Sequence, residues 1–288
     1  VAAKTGVFSL RELAERTRVC FSALTASDLR TVSPRHRSLH AAVAWSYAGL
    51  DEGEACLFRR LSVFRGWFRL DAAAAVCRDE SARSGQLLAV LGRLHDKSMV
   101  VADPTADEAR FRMLEPVRQF GQEMLAQSGE ADRVRLMHLE HLMELGEAAE
   151  PHLRSAGVAT WLARLDEAAD DVRAALRYAT ESGETVLGLR LASAVWRYWY
   201  LRGDLREGQE LLRSLTVADA EAAPPELRAK ALHGLGTLLT YLAEYRPART
   251  ALEESLAIRR ELGDPTRIAF TLNNLGIVTA ELGDFEAT

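Results

Sequence analysis

The sequence predicts a mainly α chain: a winged-helix-like helical module with one β-hairpin, followed by an α-solenoid of helical hairpins. Three observations lead there. Apolar residues recur at helical spacing through most of the 288 residues, the spacing switches to alternation once, between 98 and 113, and the last third repeats itself every 40 residues. With 48% hydrophobic and 27% charged residues, the chain has material for two cores of ordinary domain size and falls outside the disordered class. No run of about 18 apolar residues marks a membrane helix. The net charge of −5 hides an asymmetry: residues 1–128 carry 18 bases and 15 acids, residues 129–288 carry 18 bases and 26 acids. An acidic second half argues against a nucleic-acid surface there.

Three Lys against 33 Arg, beside abundant Ala and Leu, read as the coding bias of a GC-rich bacterial genome. Cys20, Cys56 and Cys77 are odd in number and widely spaced, without a C-x-x-C. That argues against a disulfide framework or structural zinc and fits a reducing cytoplasm. The opening residues lack the pattern of a signal peptide. With no initiating Met and a stop inside a repeat, a piece of a longer polypeptide is expected.

Residues 1–37 hold one amphipathic pattern (Leu10, Leu13, Val19) and a polar stretch to Pro34, expected as the end of a preceding helical module or a linker. A module over 38–128 follows. Leu39, Val43, Trp45, Tyr47 and Leu50 predict its first helix, and Leu57, Leu61 and Phe64 its second. Leu70–Val76 reads as a short third helix with Asp71 in the first turn, and Leu87, Leu88, Leu91 and Leu94 as a fourth. Residues 98–102 and 109–113 are strand-like runs around a polar loop with Pro104, and Phe111 and Met113 alternate with Arg110 and Arg112. Glu115-Pro116 then opens another helix, since Pro loses nothing at the first helical position. Residues 129–183 read as linking helices and 184–288 as the repeats.

The repeats show on self-comparison. Gly203, Ala243 and Gly283 align at a spacing of 40, followed by Asp204, Glu244 and Asp284, then Leu205, Tyr245 and Phe285. Gly208, Ala248 and Thr288 align next, with Val195, Leu235 and Leu275 upstream. In the second copy, Leu232, Leu235-Gly236, Leu239, Tyr245, Ala248 and Leu252 resemble the tetratricopeptide signature. The small residues suit two helices crossing at close range. The period of 40 exceeds the usual ~34, and AIRRELGDPTRIAFTLNNLG resembles the long-helix repeats of kinesin-light-chain type. Trp196 stands where Gly236 and Gly276 stand in later copies. An apolar face around Leu272, Leu275 and Val278 is expected to be partly uncovered.

Chemistry-bearing motifs are few. There is no G-x-x-x-x-G-K-S/T loop, no G-x-G-x-x-G after a strand and no G-x-S-x-G elbow, so no catalytic residue is expected. His138 and His141 share a helix face, but with only Glu140 and Glu144 nearby they fall short of a convergent zinc set, and no metal is expected. Trp196, Tyr198, Trp199 and Tyr200, joined by Trp161, form an aromatic cluster. Two readings are open: packing at a junction of helices, or the wall of a ligand pocket. Asn273 and Asn274 could read a peptide backbone or make a structural bond. Trp196, Tyr200, Tyr241, Asn273 and Asn274 are the partner-binding candidates. Arg35, Arg37, Arg59, Arg60, Arg65 and Arg69 make residues 1–69 locally basic, and are read as a solvated face or a domain contact. A DNA surface is the rival, to be tested by replacing Arg59 and Arg60 with Glu.

The segments RHRSLHAAVAWSYAGL, EACLFRRLSVFRGWFRLDAAAAVC, LLAVLGRLHDKSMVV and RFRMLEPVRQFGQEML resemble the winged-helix segment that follows a nucleotide-binding NB-ARC module in bacterial STAND-class signalling NTPases. LDEAADDVRAALRYA and WRYWYLRGDLREGQELL resemble the start of their tetratricopeptide sensor. The class includes SARP-type and LuxR-type transcriptional regulators. The resemblance implies a cytoplasmic regulatory portion: an upstream module binding ATP or ADP, and a repeat groove for an inducer, protein or peptide. It implies DNA contact only through a separate effector domain, no membrane and no cofactor in this portion. Met113, Leu114 and Glu115 match a Met-His-Asp motif whose His approaches the nucleotide. Leu114 cannot donate to phosphate, which leaves Glu115 as the nucleotide-proximal candidate or a helix N-cap. The alternative is a tetratricopeptide adaptor independent of nucleotide. A parent enzyme such as a nucleotide cyclase is a further rival.

Overall fold

The computed structural model describes residues 34–77, 84–103, 108–217 and 223–283. The pattern at Leu10, Leu13 and Val19, the loop residue Pro104, and the third-copy residues Asp284, Phe285 and Thr288 lie outside the described residues. Among the described residues the chain forms twelve α-helices and one three-stranded sheet. It divides into two compact units, 1–138 and 139–288.

The first unit contains α1 (Pro34–Ala48), α2 (Glu52–Leu61), α3 (Leu70–Ala75), α4 (Ser84–Asp96), α5 (Glu115–Gln127) and the start of α6 (Ala131–Ala149). A capping box begins α2: the Glu54 N–H donates to Asp51 at 2.8 Å, and Glu54 accepts from the Asp51 N–H at 3.0 Å. Its apolar face, Leu57, Phe58 and Leu61, joins Leu91, Leu94, Phe111 and Phe120 in one core. The helical pattern holds with three corrections. Leu39, Trp45 and Leu88 are 44%, 57% and 50% exposed; Trp45 and Leu88 lie off the stripe their neighbours bury. In α4 that stripe is Leu87, Leu91 and Leu94, at i, i+4 and i+7.

The expected hairpin forms from β2 (Val101–Asp103) and β3 (Arg110–Arg112), antiparallel, with Ala102 opposite Phe111. The expectation of a hairpin alone is corrected by a third strand, β1 (Phe68–Arg69), on the other edge of β3. Two residues are too few to display an alternating pattern. What fixes the strand is tertiary: the Phe68 ring stacks on Phe111 at 6.1 Å and on Phe64 at 4.8 Å. Trp67 lies beneath the guanidinium groups of Arg110 and Arg112, 5.0 and 4.6 Å from the ring centroid.

Arg59 and Arg60 do not form a solvated face. Both clasp Glu130: Arg59 Nε and Nη2 donate to Oε1 at 3.2 and 3.1 Å, Arg60 Nε and Nη2 to Oε2 at 3.0 and 2.8 Å. Arg60 is buried. Burial opposes ionisation of Glu130, yet the two arginines outweigh it and hold the carboxyl below its usual range. Replacing both arginines with Glu would therefore report on folding and not on DNA binding.

The second unit runs from the rest of α6 through a 3₁₀ segment (Glu150–Arg154) to six helices: α7 (Val158–Ser182), α8 (Thr185–Arg202), α9 (Leu205–Val217), α10 (Pro225–Tyr241), α11 (Tyr245–Leu262) and α12 (Pro265–Leu282). Each of these helices packs on the next. The small residues aligned at 40 have two distinct jobs. Gly203, Ala243 and Gly283 end helices in the left-handed region, at φ +84°, +59° and +78°. The next residue bonds back across the turn, Asp204 N–H to Trp199 O and Glu244 N–H to Leu239 O, both at 3.0 Å. Gly208, Gly236 and Ala248 instead permit close approach. A β-carbon on Gly208 would stand 2.7 Å from Trp199, and one on Gly236 2.6 Å from Leu252. Trp196, in the first copy's Gly236 position, fits because it faces Gly234, where a β-carbon would stand 2.9 Å from the indole. Leu272 is exposed and Leu275 half-buried as expected, whereas Val278 is fully buried.

Ala243 carries a left-handed strain that its glycine counterparts avoid, worth about 1 kcal/mol. Ala243→Gly should raise the thermal midpoint by about 2 °C and Gly203→Ala lower it by a similar amount. Calorimetric melting checks both. Glu130→Gln should cost on the order of 3 kcal/mol in urea denaturation, since it removes the carboxylate charge that Arg59 and the buried Arg60 share. An unchanged midpoint would show the clasp to be incidental.

Candidate functional site

The second unit holds a cavity of about 620 Å³, within the ~300–1,000 Å³ range of small-molecule sites. Three helices line it with a stripe each: Trp196, Arg197 and Tyr200 from α8, Lys230, His233, Thr237 and Tyr241 from α10, and Phe270, Asn273, Asn274, Ile277 and Glu281 from α12. The steps of three and four within each stripe put these residues on one helix face. The 3₁₀ segment adds Glu150 and Arg154, and α11 adds Arg259.

All five partner-binding candidates meet here. Trp196 is buried and packs edge-on to His233, with ring centroids 6.2 Å apart. Tyr200 and Tyr241 pair through their rings at 4.6 Å, and the Tyr200 hydroxyl donates to that of Tyr241 at 3.2 Å. Asn274 Nδ2 donates to Thr237 Oγ1 at 2.9 Å, a bond that ties α12 to α10, while Asn273 lines the cavity as an exposed side chain. The rest of the aromatic cluster is packing. Trp199 lies in the core, the Tyr198 hydroxyl donates to Asp166 at 3.0 Å, and Trp161 stacks on His152.

The sequence reading missed the cations. Arg154, Arg197, Lys230, Arg259 and Arg267 line the cavity, against Glu150 and Glu281. Lys230 is paired with Glu150 at 2.6 Å and Arg267 with Asp264 at 3.1 Å. Among the described residues no carboxylate forms an ion pair with Arg154, Arg197 or Arg259, although Asp264 acts on Arg259 at longer range. Arg154 lies over the Phe270 ring at 5.9 Å, and Arg197 Nε donates to the Leu153 carbonyl at 3.0 Å. Arg259 is 5% exposed. Its Nη1 donates to the Arg267 carbonyl at 2.8 Å and to Thr271 Oγ1, and its buried Nε has no partner. Burial and the neighbouring Arg267 push Arg259 down to about 10, against a smaller upward pull from Asp264. Burial and Arg154 likewise lower Arg197.

His233 sits among these charges. Burial, then Arg259, Arg154 and Arg267, push its imidazole down to about 3. Its Nδ1 accepts from Arg259 Nη1 at 3.4 Å, which suits a neutral ring carrying its proton on Nε2. The stripes were legible in principle from helical spacing. Arg154 and Arg259 were not, since one comes from a 3₁₀ turn and the other from an outer helix.

Glu115 belongs to the first unit. It is the first residue of α5 and not its cap, which is Leu114, and Leu114 makes no side-chain bond. Arg118 grips the Glu115 carboxylate with two bonds of 2.7 Å and Gln119 adds one of 2.8 Å, holding it below the usual carboxylate range. A carboxylate so engaged offers a nucleotide phosphate no donor. The face of His138 is likewise structural, with the His138 ring buried edge-on against Phe64 at 5.0 Å. Among the described residues no cluster of three or more His, Cys, Asp or Glu could hold a metal, and no helix is long and apolar enough to cross a membrane.

Comparison with known proteins places both halves. A winged helix-turn-helix domain family matches residues 50–126, and a tetratricopeptide repeat family matches 200–287. The chain thus resembles a winged helix-turn-helix domain in its first unit and tetratricopeptide repeats in its second. It is 34% identical, over 96% of its length, to a protein of Mycobacterium tuberculosis named "Putative HTH-type transcriptional regulator", and equally to the protein of that name in Mycobacterium bovis. It spans about a third of those relatives, 32% of their length. An uncharacterised Mycobacterium tuberculosis protein is 37% identical over half of this chain and 36% of its own. A Pyrococcus horikoshii signal transduction ATPase with numerous domains (STAND) and a tetratricopeptide repeat sensor aligns with 93% of this chain and 51% of its own, at 14% identity and a TM-score of 0.32, too loosely to bear on this fold.

Because His233 is neutral when folded and takes a proton near pH 6.5 when unfolded, stability should fall as pH drops below about 6.5. The slope should approach 1.4 kcal/mol per pH unit until the folded value near 3 is reached. Urea denaturation of wild type and His233→Asn at pH 7.0 and 5.5 tests this. The variant should lose that part of the slope, and equal slopes would sink the assignment.

Proposed function

We propose that this chain is the non-catalytic regulatory and sensor portion of a cytoplasmic STAND-type signalling ATPase acting as a transcriptional regulator. Its winged-helix unit would couple an upstream module that binds ATP or ADP to repeats that bind an inducer or a protein partner. DNA would be contacted through a separate effector domain. The observation that carries this reading is the 34% identity over 96% of the chain, a span that includes both the winged helix and the repeats, to proteins named as HTH-type transcriptional regulators. The preformed cavity in the repeats supports a sensing role. A switch of this kind needs an inducer that favours one state of the protein over the other. The engaged Glu115 and the apolar Leu114 do not fit a phosphate contact, so no step is routed through them.

The second reading, an adaptor that binds a partner without any nucleotide, is favoured by the same cavity. Nucleotide calorimetry on this chain and on the complete product of its gene separates the two. ATP or ADP should bind the complete product and not this chain. If the complete product encodes no P-loop module and binds neither nucleotide, the adaptor takes first place.

A further inference from the structure

The repeat half carries eight more acids than bases, yet its cavity gathers five cations against two carboxylates. Elsewhere on this unit several arginines are matched: Arg190 with Glu147, Arg202 with Asp166, Arg173 with Glu207, and Arg228 with Glu254. In the cavity three guanidinium groups have no carboxylate within ion-pair distance. A buried charge without a counter-charge is costly, and an arginine with an idle buried N–H adds the cost of an unmade hydrogen bond. Arg259 has both features, and its position is fixed by bonds to Thr271 and to the Arg267 carbonyl. The surroundings are aromatic: Tyr200, Tyr241 and Phe270 stand beside the cations.

We propose that this cavity is a receptor site for a small organic anion, its carboxylate or phosphate group bound by Arg259, Arg154 and Arg197 and its body lying against Tyr200, Tyr241 and Phe270. The inference deepens the sensor reading and rests on it. The volume of about 620 Å³ suits a small molecule better than a length of polypeptide. The planar fork of arginine binds either oxyanion through paired N–H donors, so both groups share one chemistry. An anion among these cations also cancels the field on His233, so its imidazole becomes easier to protonate.

The test is calorimetry with phenyl phosphate, benzoate and neutral benzyl alcohol, together with an NMR titration of the His233 ring. One or both anions should bind saturably at one site per chain, and benzyl alcohol should not. The tighter of the two identifies the oxyanion. Arg259→Gln and the rim variant Arg154→Gln should each weaken binding by about tenfold or more, and the rim variant serves should loss of Arg259 disturb folding. At saturation the His233 midpoint should rise. The inference is overturned if neither anion binds, if binding survives Arg154→Gln unchanged in a folded protein, or if His233 does not respond. Binding of benzyl alcohol alone, lost in Tyr241→Ala, would overturn the anion preference while leaving the cavity as a ligand site. The nucleotide experiment judges the sensor reading separately.

Discussion

The architecture of the repeats depends on how closely two helices can approach where one lacks a side chain. At Gly236 the Leu252 side chain of α11 occupies the space a β-carbon would need, 2.6 Å away. At Gly208 the Trp199 ring of α8 does the same for α9. Such contact leaves little freedom in helix rotation, because interiors are close-packed and a shift of one methyl group is felt. Once rotation is set, the left-handed endings at Gly203 and Ala243 set the return from α8 to α9 and from α10 to α11. Together they give α8, α10 and α12 the same phase, so that Tyr200, Tyr241 and Asn273 point into one space. Repetition of the hairpin thus produces a cavity without any residue being dedicated to forming it.

Close approach also explains how an outer helix reaches that space. Ser255 and Arg259, one turn apart on α11, cross toward its neighbours: Ser255 Oγ donates to the Ala229 carbonyl at 2.7 Å, and Arg259 bonds to α12. A wider helix pair would leave the arginine in solvent. Held at 5% exposure, it becomes a buried cation that burial and Arg267 destabilise more than Asp264 compensates. The paired arginines of the outer surface contribute little each, as exposed pairs do. The unmatched ones inside have larger consequences, visible in the lowered values for His233, Arg197 and Arg259.

Much of this was legible in the sequence, and what was not shares a cause. Helical spacing located the helices, and the self-comparison at 40 located the turns, because both signals are periodic. Five candidates, Trp196, Tyr200, Tyr241, Asn273 and Asn274, came from aromatic density and amide chemistry, and all five line the cavity. Strand β1 was hidden because two residues have no period. Arg59 and Arg60 looked like surface charge because their partner, Glu130, lies about 70 residues away and belongs to no motif. Arg154 and Arg259 were invisible for the same reason: each enters the cavity from an element outside the repeating inner face. Sequence patterns report what recurs, whereas chemistry at this site comes from what enters once.

On the sensor reading, that division of labour has a mechanical consequence. A solenoid's stability is a sum over neighbouring contacts, so a ligand held by several helices acts on the interfaces between them. Arg154 precedes α7, Arg197 lies on α8 and Arg259 on α11. An anion gripping all three would tie α11 to the 3₁₀ segment and α8, which already pack on each other directly. It would favour whichever packing of the repeats brings the guanidinium groups together, and the like-charge repulsion present without it would favour the opposite one. The difference in affinity between those two packings is the free energy available to a switch. The same three side chains would then set both which ligand is sensed and how strongly sensing is transmitted, so removing any one of them weakens both together.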